Sequence, residues 1–173
     1  ILVSIIDAPG EELADLLRAR RIDLALSRTT SSKDIHSIPL FHDRLVLVGR
    51  LKHAKPIDLS IPWDQLADEP IIAMTSGTTI RSLIDAASAQ AGIHLNIVLT
   101  PRLIPTALAF ARSGLGCAIL PSSEQFGSSF ADLPQYELVN PNMRREISLM
   151  RLRSSELAPA ARALAPHMAD GHI

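Results

Sequence analysis

The apolar residues of this chain fall into short runs, separated by polar turns and by stretches where apolar positions recur every three or four residues. Ile1–Ile6 (ILVSII) reads as a buried strand and Asp7-Ala8-Pro9-Gly10 as a turn. Leu13, Leu16 and Leu17 then mark the inner face of a helix. Glu11 and Glu12 stand at its start, where anions are favoured, and Arg18-Ala19-Arg20-Arg21 at its end, where cations are. Ile22–Leu26 predicts the next strand, which would complete a right-handed parallel strand–helix–strand unit. Thr29–Asp34 is polar loop, Ile38–Phe41 leads into an apolar strand at Leu45–Val48, and Lys52–Pro70 is irregular, with one helical turn at Trp63–Ala67.

The same grammar begins again at Ile71. Ile71–Met74 predicts a strand, Thr75-Ser76-Gly77-Thr78-Thr79 a polar turn, and Ile80–Ala91 a helix with Ile80, Leu83, Ile84 and Ala87 on one face. Arg81 and Asp85 are spaced to pair on its exposed side, an interaction of about 0.3 kcal/mol. Gly92 stops that helix, Leu95–Leu99 is a strand, and Pro105 opens a further helix that ends at Ser113–Gly114. Cys117–Leu120 is an uninterrupted apolar run closed by Pro121, the pattern of a central parallel strand. Ser122–Pro134 reads as loop, Tyr136–Val139 and Glu146–Leu152 as strands, and Pro159–Leu164 as a terminal helix. The fold class implied is α/β: two lobes, each a mostly parallel sheet flanked by helices. The expected boundaries are 1–48 and 141–173 for one lobe and 49–140 for the other, with a small molecule held in the cleft between them.

Composition narrows this further. Aromatic residues are 3% of the 173, so the core is built from Leu, Ile, Val and Ala. A net charge of −1 gives no basic face of the kind nucleic acid requires. The single cysteine, Cys117, excludes an internal disulfide and sits in an apolar run, as a small core residue and not a nucleophile. No run approaches the length of a membrane span, and no secretion signal opens the chain, so a cytoplasmic protein is expected.

The strongest candidate for ligand chemistry is Thr75–Thr79, placed between the C-terminal end of a strand and the N-terminus of a helix. Free backbone amides and the helix dipole favour an anion there, and the hydroxyls add donors, although one of them is needed as the helix cap. Gly10 in the first turn, Ser27 and Arg28 after the second strand, and Thr100 after the strand at Leu95–Leu99 are further candidates, with a solvated loop as the plain alternative for each. Enzyme signatures are absent: there is no GxSxG, HExxH or Walker loop, and Gly114-Leu115-Gly116 does not complete GxGxxG. The six histidines are scattered, and adjacent Glu11 and Glu12 diverge by about a hundred degrees on a helix. No cofactor, metal site or catalytic residue is expected.

These segments, in order, resemble the effector-binding domain of LysR-type transcriptional regulators. The resemblance is carried by Val3-Ser4-Ile5-Ile6 with Glu12-Leu13, Leu16-Leu17 and Ile22–Leu26, and by Leu40 with Asp43–Val48 and His53. Further matches are Pro70-Ile71-Ile72 with Arg81, Ile84-Asp85 and Gly92, and Ala107-Leu108 with Gly114-Leu115-Gly116 and Leu120-Pro121. Arg145–Leu149 and Leu157–Arg162 close the series. The resemblance implies a periplasmic-binding-protein-like (type 2) fold, an inducer in the cleft and transcriptional control, and the Thr75–Thr79 turn makes a small anionic metabolite the expected effector. The resemblance also implies a homodimer or homotetramer, DNA contact only through an N-terminal helix-turn-helix outside this sequence, and no membrane. It further implies that the family's first strand and helix precede Ile1. By position it carries effector contact to Thr79 and the Met74-Thr75-Ser76 stretch, whereas Thr78 is a candidate through the Thr75–Thr79 turn alone. Gly10 stands where the family often has Ser or Thr, and Arg20 where it has the Gly after the first helix. The alternatives are a solute-binding protein of a transport system with the same fold, and an enzyme grafted on it.

Overall fold

The structure is a computed structural model, and it describes residues 2–6, 8, 10–28, 32–51, 59–122 and 132–169. The chain divides into two compact units, Ile1–His42 with Arg145–Ile173, and Asp43–Arg144.

In the smaller unit, helix α1 (Gly10–Arg18) packs Leu13, Leu16 and Leu17 onto Ala25, Ile35 and Met150. Strand β8 (Arg144–Leu152) lies between β1 (Ala25–Arg28) and β2 (Ile35–Val48). The β1–β8 pairing is antiparallel, with Leu26 opposite Leu149 and Ser27 opposite Ser148. Arg18, in the last turn of α1, donates to Asp15 (2.9 Å) and Asp34 (2.8 Å), which fastens the helix end to the turn before β2. The Arg18 guanidinium and the Ser32 hydroxyl together hold the Asp34 carboxyl far below the usual carboxylate range. Helix α4 (Pro159–Ala169) closes the unit.

Two expectations are corrected here. Residues 2–6 form no strand: Leu2 is 99% and Ile5 88% exposed. A strand exists only through the ladder bonds of a neighbour, and no described strand pairs with this segment, so the parallel strand–helix–strand unit does not form. The strand expected at Ile22–Leu26 is Ala25–Arg28, so Ser27 and Arg28 lie within it and not after it. Asp7, Pro9 and residues 29–31 of the expected turn and loop lie outside the described residues.

The larger unit follows the sequence pattern closely. β2 continues from Asp43, and β3 (Ser60–Pro62), a 3-10 turn (Trp63–Leu66), β4 (Pro70–Ile72), α2 (Thr79–Gln90), β5 (Asn96–Leu99), α3 (Ile104–Arg112), β6 (Cys117–Pro121) and β7 (Gln135–Val139) follow. β3 is an addition to a stretch expected to be irregular, and most of the expected 122–134 loop lies outside the described residues. β4 pairs in parallel with both β5 and β6, and β2 pairs antiparallel with β6 and β7. All five residues of β6 are buried. They alternate: Cys117 and Ile119 face the cluster holding Ile84 and Ala87 of α2, whereas Ala118 and Leu120 face Ala107, Leu108 and Ala111 of α3. One helix therefore covers each face of the sheet.

Three helices end the same way. The amide of the residue after the left-handed position reaches back five residues: Arg21 to Leu16 (2.9 Å), Ile93 to Ser88 (3.0 Å) and Leu115 to Phe110 (3.2 Å). The left-handed residue is Gly92 (φ 70°) after α2 and Gly114 (φ 73°) after α3, but Arg20 (φ 55°) after α1. A side chain there is strained where glycine is not. Arg20→Gly is expected to leave stability unchanged or raise it by about 0.5–1 kcal/mol in a urea titration. A clear loss would contradict the cap. At Gly116 (φ 159°) an added Cβ would lie 2.5 Å from the Pro70 carbonyl oxygen. Gly116→Ala should cost about 2 kcal/mol or more by the same measurement, because the obstruction is backbone.

Candidate functional site

Parallel pairing of β4 and β5 brings the segments after both strands to one edge of the sheet, and α2 and α3 start there. Beyond the strands the two segments stay joined. The Ala73 amide donates to the Leu99 carbonyl (3.2 Å) and the Thr75 amide to the Pro101 carbonyl (3.0 Å), which sets Thr100 alongside Met74. Met74 is buried with the α3 cluster, and Thr100 is exposed. Ligands of such sheets bind outside the carboxyl ends of the strands.

The Thr75–Thr79 turn divides its hydroxyls between two jobs. Thr78 is the N-cap of α2: its Oγ1 accepts from the Arg81 amide (3.2 Å) and donates to the Thr75 carbonyl (3.0 Å). Among the described residues, no protein group engages the hydroxyls of Thr75, Ser76 and Thr79. Gly77, at φ 86°, takes the left-handed conformation that turns the chain. The first-turn amides of α2 other than that of Arg81 point out of the helix end, where the dipole favours negative charge. The turn presents hydroxyls and backbone amides as hydrogen-bond donors.

One participant escaped the sequence pattern. Arg81 pairs with Asp85 at 2.8 Å as expected, but its side chain is only 18% exposed. Its Nη1 reaches back to the Met74 carbonyl (3.4 Å), tying the helix to the start of the turn. The signal was present as an arginine three residues after the capping threonine. The i,i+4 spacing described only its outward bond.

In the smaller unit, Gly10 and Ser27 are brought together. A Cβ on Gly10 would stand 2.6 Å from Ser27 Oγ, so the absence of a side chain at 10 leaves that hydroxyl its place. Arg28 is exposed at the end of β1.

Cys117 is buried on the α2 face of the larger sheet, and burial, with the charge of Glu69 second, pushes its thiol up to about 11. The neutral thiol is thus favoured more in the folded than in the unfolded chain. Its contribution to stability is complete below the unfolded value near 9 and is lost as pH rises through about 11. Native protein at pH 8 should react with a thiol reagent at least a hundredfold more slowly than urea-unfolded protein. Equal rates would contradict the burial. Among the described residues no group of three or more His, Cys, Asp or Glu could hold a metal ion, and no helix is long and apolar enough to cross a membrane.

Comparison with known proteins agrees with this architecture. The family model for the LysR substrate binding domain matches residues 1–172. An uncharacterized HTH-type transcriptional regulator of Escherichia coli, YbhD, is 28% identical over 133 residues, 77% of this chain and 41% of that protein. The effector binding domain of QuiR in complex with shikimate superposes with a TM-score of 0.79 at 21% identity, covering 96% of this chain and 80% of that one. The Synechocystis CcmR regulatory domain in complex with 2-PG does so with a TM-score of 0.80 at 16% identity, covering 94% and 79%. The chain spans about half the length of the curated relatives it matches. The fold is therefore the periplasmic-binding-protein-like α/β fold of LysR effector-binding domains.

Proposed function

This chain belongs to the LysR substrate binding domain family, and from that premise we propose that it senses a small anionic metabolite for a transcriptional regulator. The observation that carries the proposal is the Thr75–Thr79 turn. It holds three unengaged hydroxyls and the amides of a helix N-terminus at the ends of two parallel strands. We assign effector contact to Met74, Thr75, Ser76, Thr78, Thr79 and Thr100, and further contact to Ser27 and the backbone of Gly10. Thr78 takes part through its backbone, because its hydroxyl is spent on the cap. Shikimate on the QuiR domain and 2-PG on the CcmR domain support small metabolites as the effector class.

The effector works by binding one conformation of the regulator better than another, and so shifts the balance between states that hold DNA differently. No bond is made or broken. The working protein is a cytoplasmic homodimer or homotetramer that reads DNA through a separate helix-turn-helix domain. Transport is not favoured, because the curated relatives are transcriptional regulators.

A thermal-shift screen of small carboxylates, shikimate among them, tests the assignment. A ligand at about 100 times its dissociation constant adds roughly 2.7 kcal/mol of stability. That gain should disappear at the same concentration in Thr79→Ala, which removes a hydroxyl that caps nothing. A gain that survives Thr79→Ala unchanged, or no gain with any carboxylate, overturns it.

A further inference from the structure

We propose that the smaller unit carries a separate binding site for a phosphorylated small molecule, between the end of β8 and the start of α4. An open pocket of about 430 Å³ lies there, and its lining includes Arg151, Arg153, Ser154, Ser155, Glu156 and Arg162. That volume is within the range of small-molecule sites.

Each guanidinium is held in place by backbone carbonyls. Arg151 Nη1 donates to Leu152 O (3.2 Å) and Ser155 O (3.3 Å), Arg153 Nε to Lys33 O (3.3 Å), and Arg162 Nη2 to Leu157 O (3.4 Å). None of the three pairs with a carboxylate among the described residues. Other exposed arginines, Arg20 and Arg28 among them, share that lack; what sets these three apart is that they line one pocket. Three like charges gathered round one cavity, with Glu156 as the only acid lining it, repel one another until an anion enters. Their carbonyl tethers have already removed much of the side-chain freedom that binding would otherwise take away.

Each guanidinium has five N–H donors in a planar fork, and the tethers engage one nitrogen of each, Arg151 Nη1 making two bonds, so most donors remain for a ligand. Three forks match the three terminal oxygens of a phosphate monoester better than the two of a carboxylate. The Ser154 and Ser155 hydroxyls line the same space, and the N-terminus of α4, an eleven-residue helix, begins beside it. This site stands on residues of the smaller unit alone and does not depend on the Thr75–Thr79 assignment.

Isothermal titration of the purified protein with sodium pyrophosphate, ionic strength held constant with chloride, tests the proposal. Unaltered protein should bind with a millimolar or tighter dissociation constant. Arg153→Gln combined with Arg162→Gln should weaken binding at least tenfold. Glu156→Gln, an exposed position whose change leaves every arginine in place, should tighten binding severalfold. The proposal is overturned by absent heat with unaltered protein, by equal affinity in the double variant, or by no tightening in Glu156→Gln.

Discussion

Strand β6 is buried at every position, so it must be hydrogen-bonded along both edges and covered on both faces. The edges are taken by β2 and β4, and the faces by α2 and α3 through alternate residues. That requirement reaches back to Gly116, where the backbone passes so close to the Pro70 carbonyl that a side chain has no room. The approach sets β6 beside β4, and β4 in turn sets β5. Each full burial of an Ile or Leu side chain in these layers contributes about 1.5–3 kcal/mol, so the arrangement of the larger unit rests on many such terms with one geometrical condition at their centre.

The candidate site is a consequence of that order. Because β4 and β5 run in parallel, both must hand over to a helix at the same edge, and the amides of two helix starts collect there. Thr78 satisfies one of them and leaves its neighbours unengaged. Arg81, drawn in by Asp85 and the Met74 carbonyl, holds the turn against the helix. The cap takes one hydroxyl of the five-residue turn and the proposed effector contacts take others, so those contacts can change without loss of the cap.

Much of the larger unit was legible in the sequence because its signals are local. The helix stops at Gly92 and Gly114, the proline opening α3, and the apolar run of β6 each announce themselves within a few residues. Arg20 was legible for the same reason: a left-handed residue after a helix is set by the cap, whatever its identity. The segment Ile1–Ile6 was misread because β-branched composition describes a strand's faces and says nothing of its neighbour. β1 was read about three residues early, and β3, three residues ending in proline, left no period to detect. The contiguous part of the candidate site could be read from 74 to 79, but the nearness of Thr100 depends on the register of two strands, and the inward bond of Arg81 on a carbonyl that no spacing rule includes. The three arginines around the β8–α4 cavity come from a strand, a turn and a helix, and only folding brings them together.

The central claim is that the ends of β4 and β5 form the ligand site, and residue-resolved amide chemical shifts during titration with an effector found by screening address it most directly. The account predicts the largest changes at the amides of Thr75–Thr79 and Thr100, with the cap amide of Arg81 moving less. Changes centred elsewhere in the larger unit, with the Thr75–Thr79 amides unmoved, would contradict it.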